Sequence, residues 1–269
     1  MRAFKTLMQA ALWVSAALLI STVQANDSSA VIGAGGLVLT QSDAIAMQQE
    51  DLFVSETKIK VDYKFRNTSN RAVTTRVAFP LPELPAETDM DLSADPQAAN
   101  PMKFKLMVDG KPRTFETERK TIKRNAETFY KVTHHWLQTF PAGKTVSVSH
   151  SYVPITGGGV DFGMHNEKDG RFCIDKDTQQ WIADIYKKDG HISTGIVEYI
   201  LTTGANWKGT IGKFKLTLQK ADAKHKLSFC GFGVKKINET TFVMEKTNFT
   251  PSKDLQVLFL HPYSLENSN

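Results

Sequence analysis

Two adjacent histidines, His134 and His135, are the residues in this chain whose types most suggest catalysis or metal binding. Imidazole is both a general base and a common metal ligand. On a helix, neighbouring side chains point about 100° apart, so this pair cannot readily share one ion. Glu127 could lie on the same face as His134, and His150 could approach in space. Two hypotheses follow: a partly exposed structural pair, which we favour, and a cleft of His134, His135, Glu127 and His150.

The chain has two cysteines, Cys173 and Cys230. A catalytic thiol would need a histidine partner and a lowered pKa, and nothing near either cysteine suggests these. In an oxidising compartment, such a pair most simply forms one disulfide. We therefore predict a Cys173–Cys230 disulfide.

The usual signatures of catalysis and cofactor binding are missing. The sequence has no Gly-x-Ser-x-Gly elbow, His-Glu-x-x-His, Cys-x-x-Cys or Gly-Lys-Ser/Thr phosphate loop. Asp175 and Asp177 alternate as in a calcium loop, but Gln180 and Tyr186 occupy the positions that need a glycine and a carboxylate. We expect no cofactor and no metal, and we assign no catalytic residue.

Trp207 and Lys208 are the candidate ligand contacts. They lie in "TTGANWKGTIG", where glycines and polar residues are typical of a loop. An exposed aromatic residue beside a lysine is a plausible contact for a partner. Packing of Trp207 beneath the loop is the alternative.

The N-terminus predicts export. Arg2 and Lys5 precede the apolar run "AALWVSAALLI", and Val23 and Ala25 occupy the small-residue positions of a cleavage site. The pattern indicates a signal peptide over residues 1–25 and a periplasmic or secreted protein, with a retained N-terminal anchor as the alternative. No later apolar run is long enough to span a membrane.

The charge of the chain argues against nucleic-acid binding. It carries 33 Lys and Arg against 28 Asp and Glu. These residues are dispersed, and the densest cluster, "ERKTIKRNAE", also contains glutamates, whereas a nucleic-acid surface needs a basic stripe with aromatic residues.

Strand patterns dominate the remaining chain. Over residues 58–65, apolar and charged residues alternate with the period of a half-buried strand. Asp109 and Gly110 form a strong hairpin signal because both tolerate a positive φ. Pro80 is expected to end a strand because proline cannot donate to a ladder.

Two segments have the period of an amphipathic helix. The first is residues 119–138, with apolar residues spaced three and four apart. The second, residues 175–189, begins with aspartates and ends before Gly190. We predict a mainly β protein built from two sandwich-like β-rich modules, residues 26–156 and 157–269, each with one amphipathic helix.

Several segments together resemble a known exported bacterial family. These are "NDSSAVIGAGGLVLTQSDAIAMQQEDLFVS", "VAFPLP", "YILTTGANWKG", "SFCG" and "NFTPSKDLQVLFL". Their combination is similar to the family called domain of unknown function 4424, and the resemblance implies no activity.

The first half also resembles the vault/inter-α-trypsin-type β domain. The resemblance rests on "FRNTSNRAVTTRVAFPLP", "MVDGKP", "ETFYK" and "FPAGKTVSVSHSYVPI". Because those domains are mostly interaction scaffolds, it favours binding. We therefore predict an exported non-catalytic scaffold that binds a protein, a glycan or a cell-surface component. The alternative is an extracytoplasmic enzyme, such as a hydrolase with clustered His and Glu residues.

Overall fold

The computed structural model describes residues 27–33, 36–87, 95–159, 170–188 and 190–263. Within these ranges the protein is mainly β, as predicted from the sequence, and it has one α-helix where the sequence predicted two. The strands are β1 Ser28–Gly33, β2 Gly36–Thr40, β3 Ile45–Val54, β4 Ile59–Asn67, β5 Val73–Pro80, β6 Leu84–Pro85, β7 Lys105–Val108, β8 Lys111–Pro112, β9 Glu116–Arg124, β10 Glu127–Phe140, β11 Thr145–Tyr152, β12 Thr156–Gly157, β13 His191–Tyr199, β14 Ile211–Gln219, β15 Lys226–Ser228, β16 Lys235–Lys236, β17 Thr241–Phe249 and β18 Leu255–Tyr263. The helix α1 is Lys176–Tyr186, and Thr202–Asn206 forms a short 3-10 helix.

These strands form three sheets. Sheet A has the order β2-β1-β5-β10-β6, with β9 also paired to β10. Sheet B has the order β16-β17-β14-β3-β4-β11-β7-β8, and sheet C has the order β12-β13-β18-β15. One large apolar core cluster contains residues from strands of all three sheets.

The local strand predictions are confirmed. Strand β4 alternates as expected, with Ile59, Val61, Tyr63 and Phe65 buried. Asp109 and Gly110, both with positive φ, form the turn between β7 and β8.

The helix predicted over residues 119–138 is wrong, because this segment forms the antiparallel pair β9 and β10. Asn125 and Ala126 have φ of 47° and 71°, so they form a tight hairpin turn of the kind that requires positive φ at both central residues. The core-facing alternation on β10 includes His134 and Gln138. Two polar residues at core positions hide the strand period and leave a spacing typical of a helix.

The second predicted helix is confirmed as α1. Asp175 is its N-cap, and its carboxylate accepts a hydrogen bond from the backbone N–H of Thr178. That hydrogen bond lowers the pKa of Asp175. The helix packs on sheet C through a second small apolar cluster that contains Ile182 and Ile192.

Strands from both sides of the boundary predicted at residue 156 pair with each other. Strand β14 pairs in parallel with β3, placing Lys213 opposite Gln49. Strands from both sides of the predicted boundary therefore share sheet B. They also share the core, where Tyr63 and Tyr199 are both buried. Among the described residues, no helix is long and apolar enough to cross a membrane.

Candidate functional site

A row of polar side chains lies near one end of sheet C. Ser193 on β13 is directly opposite His261 on β18. By strand alternation, Ser193 lies on the same face as Val197 and Tyr199, which belong to the large core. Unlike those two residues, Ser193 and His261 are partly exposed. The polar row therefore lies where the space between the sheets opens towards solvent.

His261 connects two other polar groups. Its Nε2 lies 2.8 Å from Oε2 of Glu56, and its Nδ1 lies 3.4 Å from Oγ of Ser193. If Nε2 carries the proton and donates to the carboxylate, Nδ1 is free to accept from the hydroxyl. A carboxylate, an imidazole and a hydroxyl thus form one continuous hydrogen-bonded line.

Glu56 reaches this line from the turn between β3 and β4. Its carbonyl accepts a hydrogen bond from Oγ1 of Thr156 at 3.0 Å, which holds the turn against sheet C. Gly195 on β13 makes room for the carboxylate, because a Cβ at that position would overlap Oε1 of Glu56. A glycine inside a strand often marks such a close approach.

His225 completes the group of four residues, which we call the rim site: Glu56, Ser193, His225 and His261. The His225 ring centroid lies 4.6 Å from that of His261. Burial and the neighbouring His261 lower the pKa of His225, whereas Asp222 and Glu56 raise it. The buried Nδ1 of His225 has no hydrogen-bond partner within the described ranges.

The first prediction concerns Gly195. Replacing it by alanine should destabilise the fold by about 1 kcal/mol, because the methyl group would displace the carboxylate of Glu56 from its contact with His261. Backbone strain would not contribute, since Gly195 does not have a positive φ. Urea unfolding of Gly195→Ala measures this loss. Adding Glu56→Ala should recover part of it, and equal losses in the single and double variants would show that the contact is not responsible.

The predicted histidine pair does not form this site. His134 and His135 are neighbours on β10, so their side chains point to opposite faces of sheet A. His134 is fully buried and stacks on Phe104 at 4.8 Å. His135 lies 2.7 Å from Nη1 of Arg76, whose guanidinium donates to the imidazole.

His150 and Glu127 are also placed apart. His150 is buried among aromatic rings, 4.9 Å from that of Phe104, whereas Glu127 is exposed at the start of β10. His134 and His150 therefore share a core neighbour, but solvent reaches neither of them. Across the described residues, no three His, Cys, Asp or Glu side chains are placed to hold a metal ion.

Burial explains the electrostatics of these two imidazoles. It lowers the pKa of His134 to about 4, with a smaller contribution from His135. It lowers the pKa of His150 to about 3, with a smaller contribution from His134. Both are neutral core residues at neutral pH.

A buried polar network lies near His150. The hydroxyls of Tyr63 and Tyr199 are 2.9 Å apart, and Tyr199 donates to Oε1 of Glu50 at 3.1 Å. Nε2 of His150 is 3.6 Å from Oδ2 of Asp27. Burial and the nearby Glu50 raise the pKa of Asp27. These groups are closed off from solvent, so we interpret the network as structural.

Trp207 packs beneath the loop, which is the alternative to the ligand contact expected for it. It is only 3% exposed, and its ring contacts Phe65 with centroids 4.6 Å apart. Its indole N–H donates to the carbonyl of Asp27 at 2.8 Å. Lys208 is exposed and donates to Oγ1 of Thr68, and its role as a ligand contact stays a prediction.

The predicted cysteine pair is at bonding distance, with the sulfur atoms of Cys173 and Cys230 1.99 Å apart. The bridge joins the chain just before α1 to the chain just after β15. Beside it, Oγ of Ser228 donates to the carbonyl of Phe172 at 3.0 Å. The disulfide therefore fastens the entry of the helix to sheet C.

Sequence reasoning missed the rim site. Its four residues are dispersed along the chain, and three of them come together only through the pairing of β13, β18 and β15. The one local signal is Gly195, a glycine inside a strand pattern.

Comparison with solved structures shows the fold. A Legionella pneumophila protein, provisionally described as a nutrient binding protein, is 19% identical with a TM-score of 0.52, over 88% of this chain and 70% of that chain. An M1 zinc metallopeptidase from Deinococcus radiodurans is 12% identical with a TM-score of 0.33, and the match covers 82% of this chain but only 43% of that chain. No curated protein sequence matches significantly.

Comparison with protein families identifies the chain more specifically. The model of domain of unknown function 4424 (DUF4424) matches residues 25–129 and 121–258. These two segments span nearly all of the described structure, including every residue of the rim site except His261. The chain therefore belongs to the DUF4424 family.

Proposed function

We propose that this protein is an exported, non-catalytic binding protein that holds a hydroxyl-rich ligand, such as a glycan, at the rim site. The observation that carries this proposal is the line from Glu56 through His261 to Ser193, which is partly exposed at the end of sheet C. Carboxylate, imidazole and hydroxyl groups can each hydrogen-bond to sugar hydroxyls.

An aromatic ring beside this line supports a sugar ligand. Tyr263 is two residues beyond His261 on β18, so both side chains lie on the same face of sheet C. Its ring lies 5.5 Å from that of His191 and is partly exposed. A flat aromatic surface beside hydrogen-bonding groups suits the apolar face of a sugar ring.

Two further findings agree with a binding role in the cell envelope. The solved Legionella protein of similar fold is described as a binding protein. The cysteine pair at bonding distance suits an oxidising compartment, in keeping with the signal peptide predicted over residues 1–25, which lie outside the described structure.

The second prediction tests this function. Titration with soluble envelope oligosaccharides should give saturable binding, and His261→Ala should weaken it at least about tenfold by removing the central hydrogen-bonding group. Isothermal calorimetry measures both affinities. Exposed Leu137 lies on sheet A, so Leu137→Ala serves as the control and should bind like the wild type. If His261→Ala binds as tightly as the wild type, the ligand is not held at the rim site.

A second candidate function, ester hydrolysis, is favoured by the order of the same groups. Ser193 Oγ could attack a carbonyl carbon while its proton passes to Nδ1 of His261, and Glu56 would stabilise the resulting imidazolium. The alcohol would leave with that proton, and water would then release the acyl group from Ser193. Labelling by a fluorophosphonate that is abolished by Ser193→Ala would favour this enzyme. No labelling would favour the binding protein.

A further inference from the structure

The most exposed large apolar side chain among the described residues lies beside an edge strand of sheet B, outside the rim site. Phe232 is 84% exposed, and Ile237 and Val234 of the same segment are 59% and 37% exposed. They flank β16, which is the edge strand of sheet B. We call residues 232–237 the Phe232 edge.

This segment is held in place by specific contacts. Lys246 donates from Nζ to the carbonyl of Phe232 at 2.9 Å. Strand β16 pairs with β17, and the backbone N–H of Ile237 donates to the carbonyl of Thr241 at 2.9 Å. The disulfide at Cys230 fastens the chain just before the segment. The apolar side chains are therefore presented outwards by an anchored backbone.

The Phe232 edge is also positively charged. Lys235 and Lys236 form β16 and are both exposed. Burial and the charges of Lys226 and Lys236 lower the pKa of Lys220. Glu239 and Asp222 oppose that effect. Lys246 adds a third positive charge through its contact with the carbonyl of Phe232, and Glu239 is the first acidic residue after the segment.

The lysines disfavour one alternative occupant, a second copy of the chain. An exposed edge strand can pair with another strand, and proteins prevent this by placing lysines on the edge. Two copies joined through β16 would bring Lys235 and Lys236 close to the same residues of the partner. Like charges repel at that distance, so a negatively charged partner fits better.

We propose that the Phe232 edge docks this protein onto an anionic lipid surface. The edge enters side-on: Phe232, Val234 and Ile237 reach the boundary between headgroups and acyl chains, while Lys235 and Lys236, which point to opposite faces of sheet B, bind phosphates on either side of the edge. Aromatic and aliphatic side chains combined with lysines are the features by which proteins attach to the surface of a bilayer without crossing it.

The third prediction tests this docking. In a vesicle co-sedimentation assay, the purified protein should bind vesicles of equal parts phosphatidylcholine and phosphatidylglycerol, but not vesicles of phosphatidylcholine alone. Phe232→Ala should weaken binding about tenfold because one buried aromatic side chain is lost. The pair Lys235→Glu and Lys236→Glu should weaken it about thirtyfold or more, because each lysine near an anionic surface contributes roughly a fivefold effect.

The opposite edge of sheet B provides matched controls. Lys105→Glu with Lys111→Glu changes the net charge equally on exposed residues of β7 and β8, and vesicle binding should persist. Equal loss in both charge-reversed pairs would mean that binding is non-specific, and unchanged binding by Phe232→Ala would also overturn the proposal. Light scattering provides the last check, since a dimer that is lost in Phe232→Ala, without vesicle binding, would assign the edge to self-association instead.

Discussion

Lowering the pH from 7.5 to 5 should cost the wild-type protein about 2 kcal/mol of folding stability for each of two buried histidines, His134 and His150. Variants that lack one of these imidazoles should not show its share of the loss. The unfolded chain takes up a proton on each histidine below about pH 6.5. The folded protein keeps His134 neutral down to about pH 4 and His150 neutral down to about pH 3. Protonation therefore favours unfolding as the pH falls through this window. Above about pH 6.5 both states carry neutral imidazoles, and the effect disappears.

The measurement is the free energy of unfolding in urea at pH 7.5 and at pH 5. His134→Phe and His150→Phe retain an aromatic ring among Phe104 and its neighbours. Each variant should lose about 2 kcal/mol less than the wild type between the two pH values, and the double variant about 4 kcal/mol less. Comparison with variants is essential because the raised pKa of Asp27 makes a contribution of opposite sign.

A matched control separates the proton from the hydrogen bond. Oγ1 of Thr117 lies 2.9 Å from Nδ1 of His134, so Thr117→Val removes that contact and keeps the imidazole. This variant should be less stable at both pH values and should keep the pH dependence of the wild type. Parallel curves for the wild type and both histidine variants would refute the account, because they would mean that the imidazoles titrate alike in the folded and unfolded chains.

The parts of the fold that the sequence predicts correctly are those with a local cause. Strand β4 has an uninterrupted alternation that ends at a turn. The β7–β8 hairpin follows from Asp109 and Gly110, and α1 follows from the acceptor Asp175 before an amphipathic run. In each case, neighbouring residues supply enough information to specify the backbone.

The sequence-based predictions fail where contacts between residues far apart in sequence determine the structure. Within residues 119–138, only the turn at Asn125 and Ala126 indicates a hairpin, and neither residue is glycine. The parallel pairing of β14 with β3 joins residues far apart in sequence and has no short-range signature. Spacing along the chain therefore gives no sign that the two predicted modules contribute strands to one sheet.

The candidate site shows the same limit. His134 and His135 are adjacent in sequence and so suggest a shared site. Because they are neighbours on a strand, their side chains point to opposite faces of sheet A. The rim site unites Glu56 with His261, residues whose proximity depends on how sheet C packs against the turn between β3 and β4. Chemistry assembled across sheets cannot be predicted from spacing alone.

Removing the disulfide should destabilise the protein by about 4 kcal/mol, the loop entropy expected for cysteines 57 positions apart. The reason is that the bridge restricts the unfolded chain between Cys173 and Cys230. Both residues are exposed, so replacing them with alanine leaves no core cavity to add to the loss. Urea unfolding of the Cys173→Ala and Cys230→Ala double variant measures the difference from the wild type.

Two further experiments test whether the loss of stability comes from the disulfide itself. A reductant should lower the stability of the wild type towards that of the double variant, and it should leave the double variant unchanged. Because α1 rests on only a small apolar cluster with Ile182 and Ile192, its amide protons should exchange faster once the bridge is removed. Equal stability of the oxidised wild type and the double variant would mean that the unfolded chain is already compact over this loop, since a disulfide cannot restrict a chain that other contacts restrict already.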